Sequence, residues 1–319
     1  DSLSVAAVSA VSGDELYHIQ TPNLSNTWVG MLPGLTVLQG NGAVGYDNAQ
    51  WIIRGVGSYG SGTWNSAKIF VDGFEVNSEY LVSLSPSEIE SVEILKDGAA
   101  LAIYGDRGAN GVIKIETKRG KIGPATVSAK VRYGATTPNV INKPLGSYDF
   151  ANLYNQAVSN DNGMVWTPAY NDEQLKAYQT GAGVDVDWYD EVLRDAGSYM
   201  DGDIIFNGGN ENARYNVNLG YLNTQGLLDT KNTDTTKNLG YEKYNIRANL
   251  DFNIMQIFEF KVDFSGRIEM RRRPNYGVTD LFSDLAKTPS NAYNIYDDKE
   301  LGHLSGTAIS PTKPNGSAN

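Results

Sequence analysis

Glu88 to Lys121 reads EIESVEILKDGAALAIYGDRGANGVIKIETKRGK, and the reading of this stretch decides the fold. From Glu90 to Leu95, charged or polar residues alternate with apolar ones; from Gly111 to Thr117, Val112, Ile113 and Ile115 dominate. Both runs read as short strands. Between them, Gly98, Gly105, Gly108 and Gly111 punctuate the chain, and Ala99 to Ile103 is long enough for only about one to two helical turns. A tight crossover is therefore expected. Glycines this closely spaced belong where a backbone packs against another wall or φ must be positive.

Upstream, Val5 to Val11 alternates as a strand does, Ser12-Gly13-Asp14-Glu15-Leu16 reads as a turn and helix start, and Asn26 to Met31 as a second short helix stopped by Pro33-Gly34. Trp51 to Arg54 and Ala67 to Val71 read as further strands. Between these two strands, Gly55-Val56-Gly57-Ser58-Tyr59-Gly60 satisfies G-x-G-x-x-G. A dinucleotide site needs the third glycine to enter a helix whose N-terminus holds the pyrophosphate. Here Ser61-Gly62-Thr63-Trp64-Asn65 continues as loop, so the pattern is a decoy. Tyr59 and Trp64 suit either stacking on a ligand ring or packing of the loop itself.

Downstream of Pro124 the pattern lengthens. Val127 to Tyr133, Tyr199 to Asn207, Tyr215 to Tyr221, Tyr244 to Ile254 and Phe258 to Met270 read as five strands, with Asn245, Arg247, Asn249 and Asp251 on the polar side of the fourth. A tilted strand of about 9–11 residues, apolar outside and polar inside, crosses a bilayer as part of a barrel. Short links (Gly208 to Glu211, Met255-Gln256) alternate with long ones (Gly134 to Ser198, Thr224 to Tyr241, everything after Arg273), as periplasmic turns alternate with extracellular loops. The first long link carries a helix, Tyr148 to Val158, and Trp166, Tyr170, Trp188 and Tyr189, which meet a ligand, meet a partner lid or pack the loop.

Composition narrows the function classes. The 319 residues suffice for two domains, and Gly (34) and Tyr (19) lean towards a β-rich chain. A net charge of -11 argues against nucleic acid, whose phosphates need concentrated Lys and Arg; Arg271-Arg272-Arg273 reads as a solvated strand end. With no cysteine there is neither a disulfide framework nor a thiolate metal site. His18 and His303 stand apart, with no nucleophile motif or metal-ligand spacing beside either. Asp185 with Asp187 and Asp297 with Asp298 read as solvated or loosely calcium-binding loop carboxylates rather than a catalytic pair. No enzyme and no cofactor are expected.

Glu88 to Lys121 resembles the plug-domain signature of TonB-dependent outer-membrane transporters, in particular the SusC/RagA-like branch. Two upstream pieces fit in the expected order: Leu32-Pro33-Gly34-Leu35-Thr36-Val37, then Ile52-Ile53-Arg54-Gly55 followed by Phe70-Val71-Asp72-Gly73. The resemblance is strong over residues 1–121 and weak beyond, and Asp72, Gly73, Lys96, Asp97, Tyr104, Gly105, Gly108, Asn110 and Gly111 carry the signature. It implies an α+β plug domain over residues 1–121, followed over 122–319 by the first strands of an antiparallel transmembrane β-barrel, with long extracellular loops. Tyr59, Trp64 and Asn65 would then face ligand at the plug apex. Arg54, Glu90, Glu93, Arg107 and Arg119, charges beside apolar strands, would form a polar lock between plug and barrel wall, the other reading being ordinary solvent-facing alternation.

The family also implies TonB-driven import of a large glycan or oligopeptide across the bacterial outer membrane, a SusD-type surface lipoprotein as lid, and a TonB contact upstream of Asp1. The alternative is a ligand-sensing receptor without transport of its own. Such barrels have about 22 strands, and five in lipid would leave an unpaired edge, each orphan N–H or C=O costing several kcal/mol. The chain is therefore expected to be the N-terminal part of a longer polypeptide. Mass spectrometry of the native protein should return a mass well above 34.7 kDa; a value near that figure would contradict the expectation.

Overall fold

The computed structural model describes residues 8–18, 23–28, 30–39, 42–53, 67–96, 104–105, 110–139, 143–229, 239–255, 257–274 and 277–292. Seven short strands open the chain: β1 (Val8–Ser12), β2 (Leu35–Gln39), β3 (Ala49–Ile53), β4 (Lys68–Val71), β5 (Phe74–Val76), β6 (Ile89–Leu95) and β7 (Val112–Thr117). Five of them form a sheet in the order β1-β6-β7-β4-β5, while β2 and β3 pair as a separate antiparallel ribbon. Only the β4–β7 pairing in the larger sheet is parallel. The two strands read first from the sequence are present, but the expected crossover between them is not: β6 and β7 are antiparallel neighbours, from Ile89 opposite Thr117 to Leu95 opposite Val112. Most of the glycine-rich segment between them lies outside the described residues.

Apolar residues bind this domain together. Ile89, Val92 and Ile94 of β6, with Ile113 and Ile115 of β7, pack with Leu16, Leu24, Trp28, Trp51, Ile69 and Leu81 in one buried cluster. Trp28 and Trp51 meet at 5.5 Å between ring centroids. A smaller cluster of Phe70, Leu95 and Val112 is covered by Tyr104, whose ring lies 4.6 Å from that of Phe70. Each fully buried aliphatic or aromatic side chain is worth about 1.5–3 kcal/mol, so the cluster gives the domain a core of its own.

Helix α1 (Gly13–Tyr17) starts where the sequence indicated, capped by the Ser12 hydroxyl accepting from Glu15 N–H. The second expected helix, over Asn26 to Met31, is instead a 3₁₀ turn, Leu24–Asn26, capped by Asn23. Helix α2 (Ser78–Ser83) follows β5, and a 3₁₀ turn, Pro86–Glu88, leads into β6. Asp72 (φ 50°) and Gly73 (φ 88°) make the two-residue turn between β4 and β5, both with the positive φ that Asp-Gly tolerates. The Asp72 carboxylate also accepts from Thr117 N–H (2.9 Å) and Oγ1 (2.7 Å), fixing that turn to the end of β7.

Five longer strands follow: β8 (Gly123–Thr136), β9 (Gly197–Gly209), β10 (Ala213–Gln225), β11 (Gly240–Ile254) and β12 (Phe258–Arg272). They pair in chain order as one meander, β12-β11-β10-β9-β8. Each is 13–15 residues long, more than the stretch needed to cross a bilayer. Along β11 the alternation is strict: Tyr241, Lys243, Arg247, Asn249 and Asp251 are buried, whereas Tyr244, Ile246, Phe252 and Ile254 are exposed. The polar row faces inward and the apolar row faces out.

The chain divides into two compact units. The first unit (Asp1–Gly134, Ser198–Thr224, Gly240–Arg271) contains the N-terminal domain together with the long strands. The second (Ala135–Gly197, Gln225–Leu239, Arg272–Asn319) is made from the long connections. Its helices are α3 (Ser147–Asp161), α4 (Asp172–Thr180), α5 (Trp188–Val192) and α6 (Val278–Lys287). Ala151, Trp188, Tyr189, Leu193, Leu228, Leu281 and Leu285 are buried there, so two of the four loop aromatics pack the loop. Tyr170 stacks edge-on with Phe150, Tyr154 and Tyr178, and Trp166 is exposed. Asp185 accepts from Ser147 N–H and Oγ, and Asp187 caps α5, which occupies both carboxylates of that pair. Asp297, Asp298 and His303 lie outside the described residues.

Gly13 gives the N-terminal domain a sharp test, because a Cβ there would lie 1.8 Å from the Ile89 carbonyl oxygen. Gly13→Ala should destabilise the protein by about 2–3 kcal/mol, whereas Gly42→Ala, with open space around it, should leave the thermal midpoint unchanged. Equal midpoints for the two variants in a melting experiment would contradict the packing of α1 on β6.

Candidate functional site

The N-terminal domain meets the inward face of the long strands through polar groups. At the centre is Glu88, 4% exposed at the end of the Pro86–Glu88 turn. Its Oε2 accepts from Arg247 Nε at 3.0 Å and its Oε1 from Asn245 Nδ2. Arg247 is also 4% exposed, and its NH2 donates to Tyr80 Oη of α2 at 2.8 Å. Beside this pair, Ser87 Oγ donates to Asp203 Oδ1 (2.7 Å) and accepts from Asn218 Nδ2 (2.9 Å), while Ser85 Oγ reaches the same Asp203 oxygen at 3.4 Å. The turn thus engages β9, β10 and β11 at once.

A second cluster holds the exit from the domain. Arg119 NH1 donates to Asp251 of β11 at 2.6 Å, and its NH2 to Asp263 of β12 at 2.8 Å. Burial opposes the Arg119 charge, but Asp263 and Asp251 outweigh it and hold the guanidinium above its ordinary pKa. Asn249 Nδ2 donates to Thr117 Oγ1 (2.7 Å) and to the Lys118 carbonyl (2.9 Å). Asn207 of β9 donates to the Arg119 carbonyl and accepts from Lys121 N–H, both at 3.1 Å. Lys118 turns back into its own domain, to Asp14, and its hydrogen bond and charge hold that carboxyl below the usual carboxylate range.

A third contact is aromatic. The Arg271 guanidinium lies 5.8 Å from the Tyr46 ring centroid and 5.5 Å from that of Tyr241, with its NH2 on Glu269 Oε2 at 2.8 Å. Arg267 lies 5.7 Å over the Tyr80 ring. Arg271, Arg272 and Arg273 are exposed, as the sequence suggested, and Arg271 in addition stacks on the rings of Tyr46 and Tyr241. Below Tyr46, Asp47 accepts from Asn23 Nδ2 and Asn26 Nδ2, each at 3.1 Å, and burial pushes its carboxyl pKa up.

Of the residues expected to form a polar lock, Arg119 reaches the wall. Glu93 pairs instead with Lys114 across the β6–β7 ladder at 3.3 Å, and Glu90 is exposed at a β-bulge, so the structure brings neither to the wall. Lys114 stands directly opposite Glu93 on β7, and Glu90 falls where the β6–β7 register shifts. The hydrogen bonds of Glu116, then of Glu93, raise the Lys114 pKa against its burial. Arg54, Arg107, Tyr59, Trp64 and Asn65 lie outside the described residues, as do Asp97 and Gly108. Lys96 Nζ donates to Ser9 Oγ at 2.7 Å and to the Pro33 carbonyl, tying β1 to the turn before β2. Tyr104 covers Phe70, Asn110 sits in a turn, and Gly105 (φ 60°) and Gly111 (φ 88°) take positive φ, so these signature residues shape the domain itself.

Glu88, Ser85, Ser87 and Tyr80 were not singled out from the sequence. The legible signal was the polar row Asn245, Arg247, Asn249 and Asp251, which required partners somewhere. The arrangement is a seam of ion pairs and hydrogen bonds. It can grip, and it can exchange its bonds for water.

Known proteins resemble this chain in the same terms. The family described as TonB-dependent receptor plug domain matches residues 2–112. The TonB-dependent receptor SusC of Bacteroides thetaiotaomicron is 32% identical over 233 residues, covering 71% of this chain and 21% of that protein. TonB-dependent receptor P26 of Formosa agariphila is 28% identical over 300 residues, covering 92% of this chain and 28% of that protein. The chain therefore spans between a fifth and a third of the length of these relatives. Among solved structures, the RagAB peptide importer in its open-open state is similar in fold, with a TM-score of 0.73 and 23% identity over 92% of this chain and 34% of that chain.

Removing one partner of a buried ion pair strands the other charge, at a cost of roughly 3–5 kcal/mol. Glu88→Ala in the full-length protein should therefore lower the melting temperature by several degrees and speed hydrogen exchange of the 85–95 amides. Glu90→Ala should do neither. If the two variants behaved alike, Glu88 would not be the anchor described.

Proposed function

The chain belongs to the SusC/RagA-like TonB-dependent receptors, proteins of the bacterial outer membrane, and from this membership we propose that the whole protein is a TonB-energised importer of a large nutrient, a glycan or an oligopeptide. The N-terminal domain is its plug and the five long strands open its barrel. A SusD-type surface lipoprotein serves as the lid. The relatives are receptors rather than enzymes.

The seam is the observation that carries this reading. A domain meant to stay in place for good would be held more strongly by apolar packing, since a buried ion pair contributes little over a hydrophobic contact of the same shape. Ion pairs and hydrogen bonds have a different merit: water replaces them when the surfaces part. The Glu88–Arg247 and Arg119–Asp251–Asp263 contacts are of this kind. The plug keeps its own apolar core through Trp28, Trp51 and the β6–β7 aliphatics, so it can shift without unfolding.

These 319 residues contain no cysteine, so a pair introduced here has no competing thiol within them. Ser87 and Asn218 side chains touch at 2.9 Å, so Ser87→Cys with Asn218→Cys should form a disulfide between plug and wall on oxidation. In a deletion strain grown on defined polysaccharides and peptide mixtures, wild type should restore growth on one polymer. The oxidised double-cysteine protein should not, and reduction should recover it. Growth supported equally by the crosslinked protein would overturn a moving plug; growth independent of the gene on every polymer, with loss only of a ligand-dependent transcriptional response, would make the protein a sensor.

A further inference from the structure

Gly220 lies within β10, opposite Asp203 of β9, whose carboxylate accepts from Ser87 of the Pro86–Glu88 turn. A glycine inside a strand marks a close approach. A Cβ here would lie 2.3 Å from Asn245 Oδ1, 2.7 Å from Nδ2 and 2.8 Å from Cγ, so the carboxamide of Asn245 fills the space that a side chain on β10 would take. From that position Asn245 Nδ2 donates to Glu88 Oε1, leaving Oε2 to Arg247 Nε. Two other glycines of the long strands differ in kind: a Cβ on Gly197 or Gly209 would strike a backbone oxygen at 2.4 Å. Beside Gly220 the three nearest atoms belong to a side-chain end that can swing aside, and its φ lies outside the left-handed region, so alanine fits the strand itself.

We propose that Gly220 is a positioning residue of the plug's polar seat: its missing side chain lets Asn245 reach over β10 to Glu88, and so sets how readily the plug leaves the wall. This rests on the moving-plug reading and deepens it. Glu88 is a buried carboxylate, and an oxygen deprived of its donor there is costly to leave unpaired. A methyl group at Gly220 turns Asn245 away and strands that oxygen. It acts on the seam from the wall side alone, without removing a charge, a plug residue or a backbone hydrogen bond.

The test is a double-mutant cycle in the full-length protein, read by hydrogen exchange of the 85–95 amides and by the sensitivity of the complemented deletion strain to vancomycin, which an intact outer membrane excludes. Gly220→Ala should speed that exchange about tenfold, the loss of one hydrogen bond to a buried carboxylate, and lower the inhibitory concentration of vancomycin. Asn245→Ala should do the same. The double variant should do no more than either alone, because both changes remove one and the same bond. Gly202→Ala, whose Cβ would meet its nearest atoms at 3.6 and 3.8 Å, should match wild type in both readouts. Exchange unchanged in Gly220→Ala, effects that multiply in the double variant, faster exchange with vancomycin still excluded, or a double variant that fails to fold would each overturn the proposal. The importer reading is decided apart from these results: unimpaired growth of the deletion strain on every polymer would remove it and leave the Gly220–Asn245 cycle as measured.

Discussion

The buried Arg247 guanidinium is the constraint from which the first unit follows. An unpaired charge in that position costs several kcal/mol, more than a domain of this size has to spare. Glu88 removes the penalty, and in doing so it fixes where the plug must sit. The demand extends along β11: Tyr241, Lys243, Asn245, Arg247, Asn249 and Asp251 all fall on one side of a strand whose side chains alternate, and each of Asn245, Arg247, Asn249 and Asp251 has a plug atom as partner. A slip of one residue would turn that row towards lipid and bring Tyr244, Ile246 and Phe252 inside. The membrane face and the plug contact are thus two consequences of a single register.

Two kinds of binding therefore divide the labour. Inside the plug, Trp28, Trp51, Ile89, Val92, Ile94, Ile113 and Ile115 are buried against one another, and such contacts are lost only when the domain unfolds. Between plug and wall, carboxylates, guanidinium groups, amides and hydroxyls meet at 2.6–3.0 Å. Those groups are also well solvated when separated, so parting them costs far less than the sum of the bonds they make. A force applied to the chain would meet a strong body on a weaker seat.

Much of this was legible in the sequence. Period-two alternation located all five long strands. What the residues could not disclose was pairing across distance. Glu88 and Arg247 are separated by 159 positions, and nothing local to Ser85-Pro86-Ser87-Glu88 distinguishes a seam from a capped turn. Glu93 illustrates the converse error: a charge beside an apolar strand suggested a barrel partner, but Lys114 stands opposite it on β7. Strand reading gives the side of the sheet on which a residue lies, not which body covers that side. The basic run at Arg271 is exposed as it reads, but the rings of Tyr46 and Tyr241 that Arg271 meets come from distant segments and left no local mark.

The two polar clusters also differ in how they can yield. The strap at Thr117–Lys121 runs directly into β8, so covalent continuity holds it to the wall whatever becomes of its hydrogen bonds. It is also closely fitted: Arg119 bridges β11 and β12, Asn207 grips the backbone on both sides of Gly120, and a Cβ on Gly120 would lie 2.3 Å from the Tyr215 nitrogen. The Pro86–Glu88 turn has no such continuity. Its neighbour is α1, whose Gly13 lies against the Ile89 carbonyl, and β1, the edge strand that pairs with β6 from Val8 opposite Leu95 to Ser12 opposite Ser91. Tension entering through the N-terminal strand therefore arrives at β6 and the Glu88 turn before it reaches the strap. The plug is thus tied covalently to the wall at its exit and by side chains alone at Glu88.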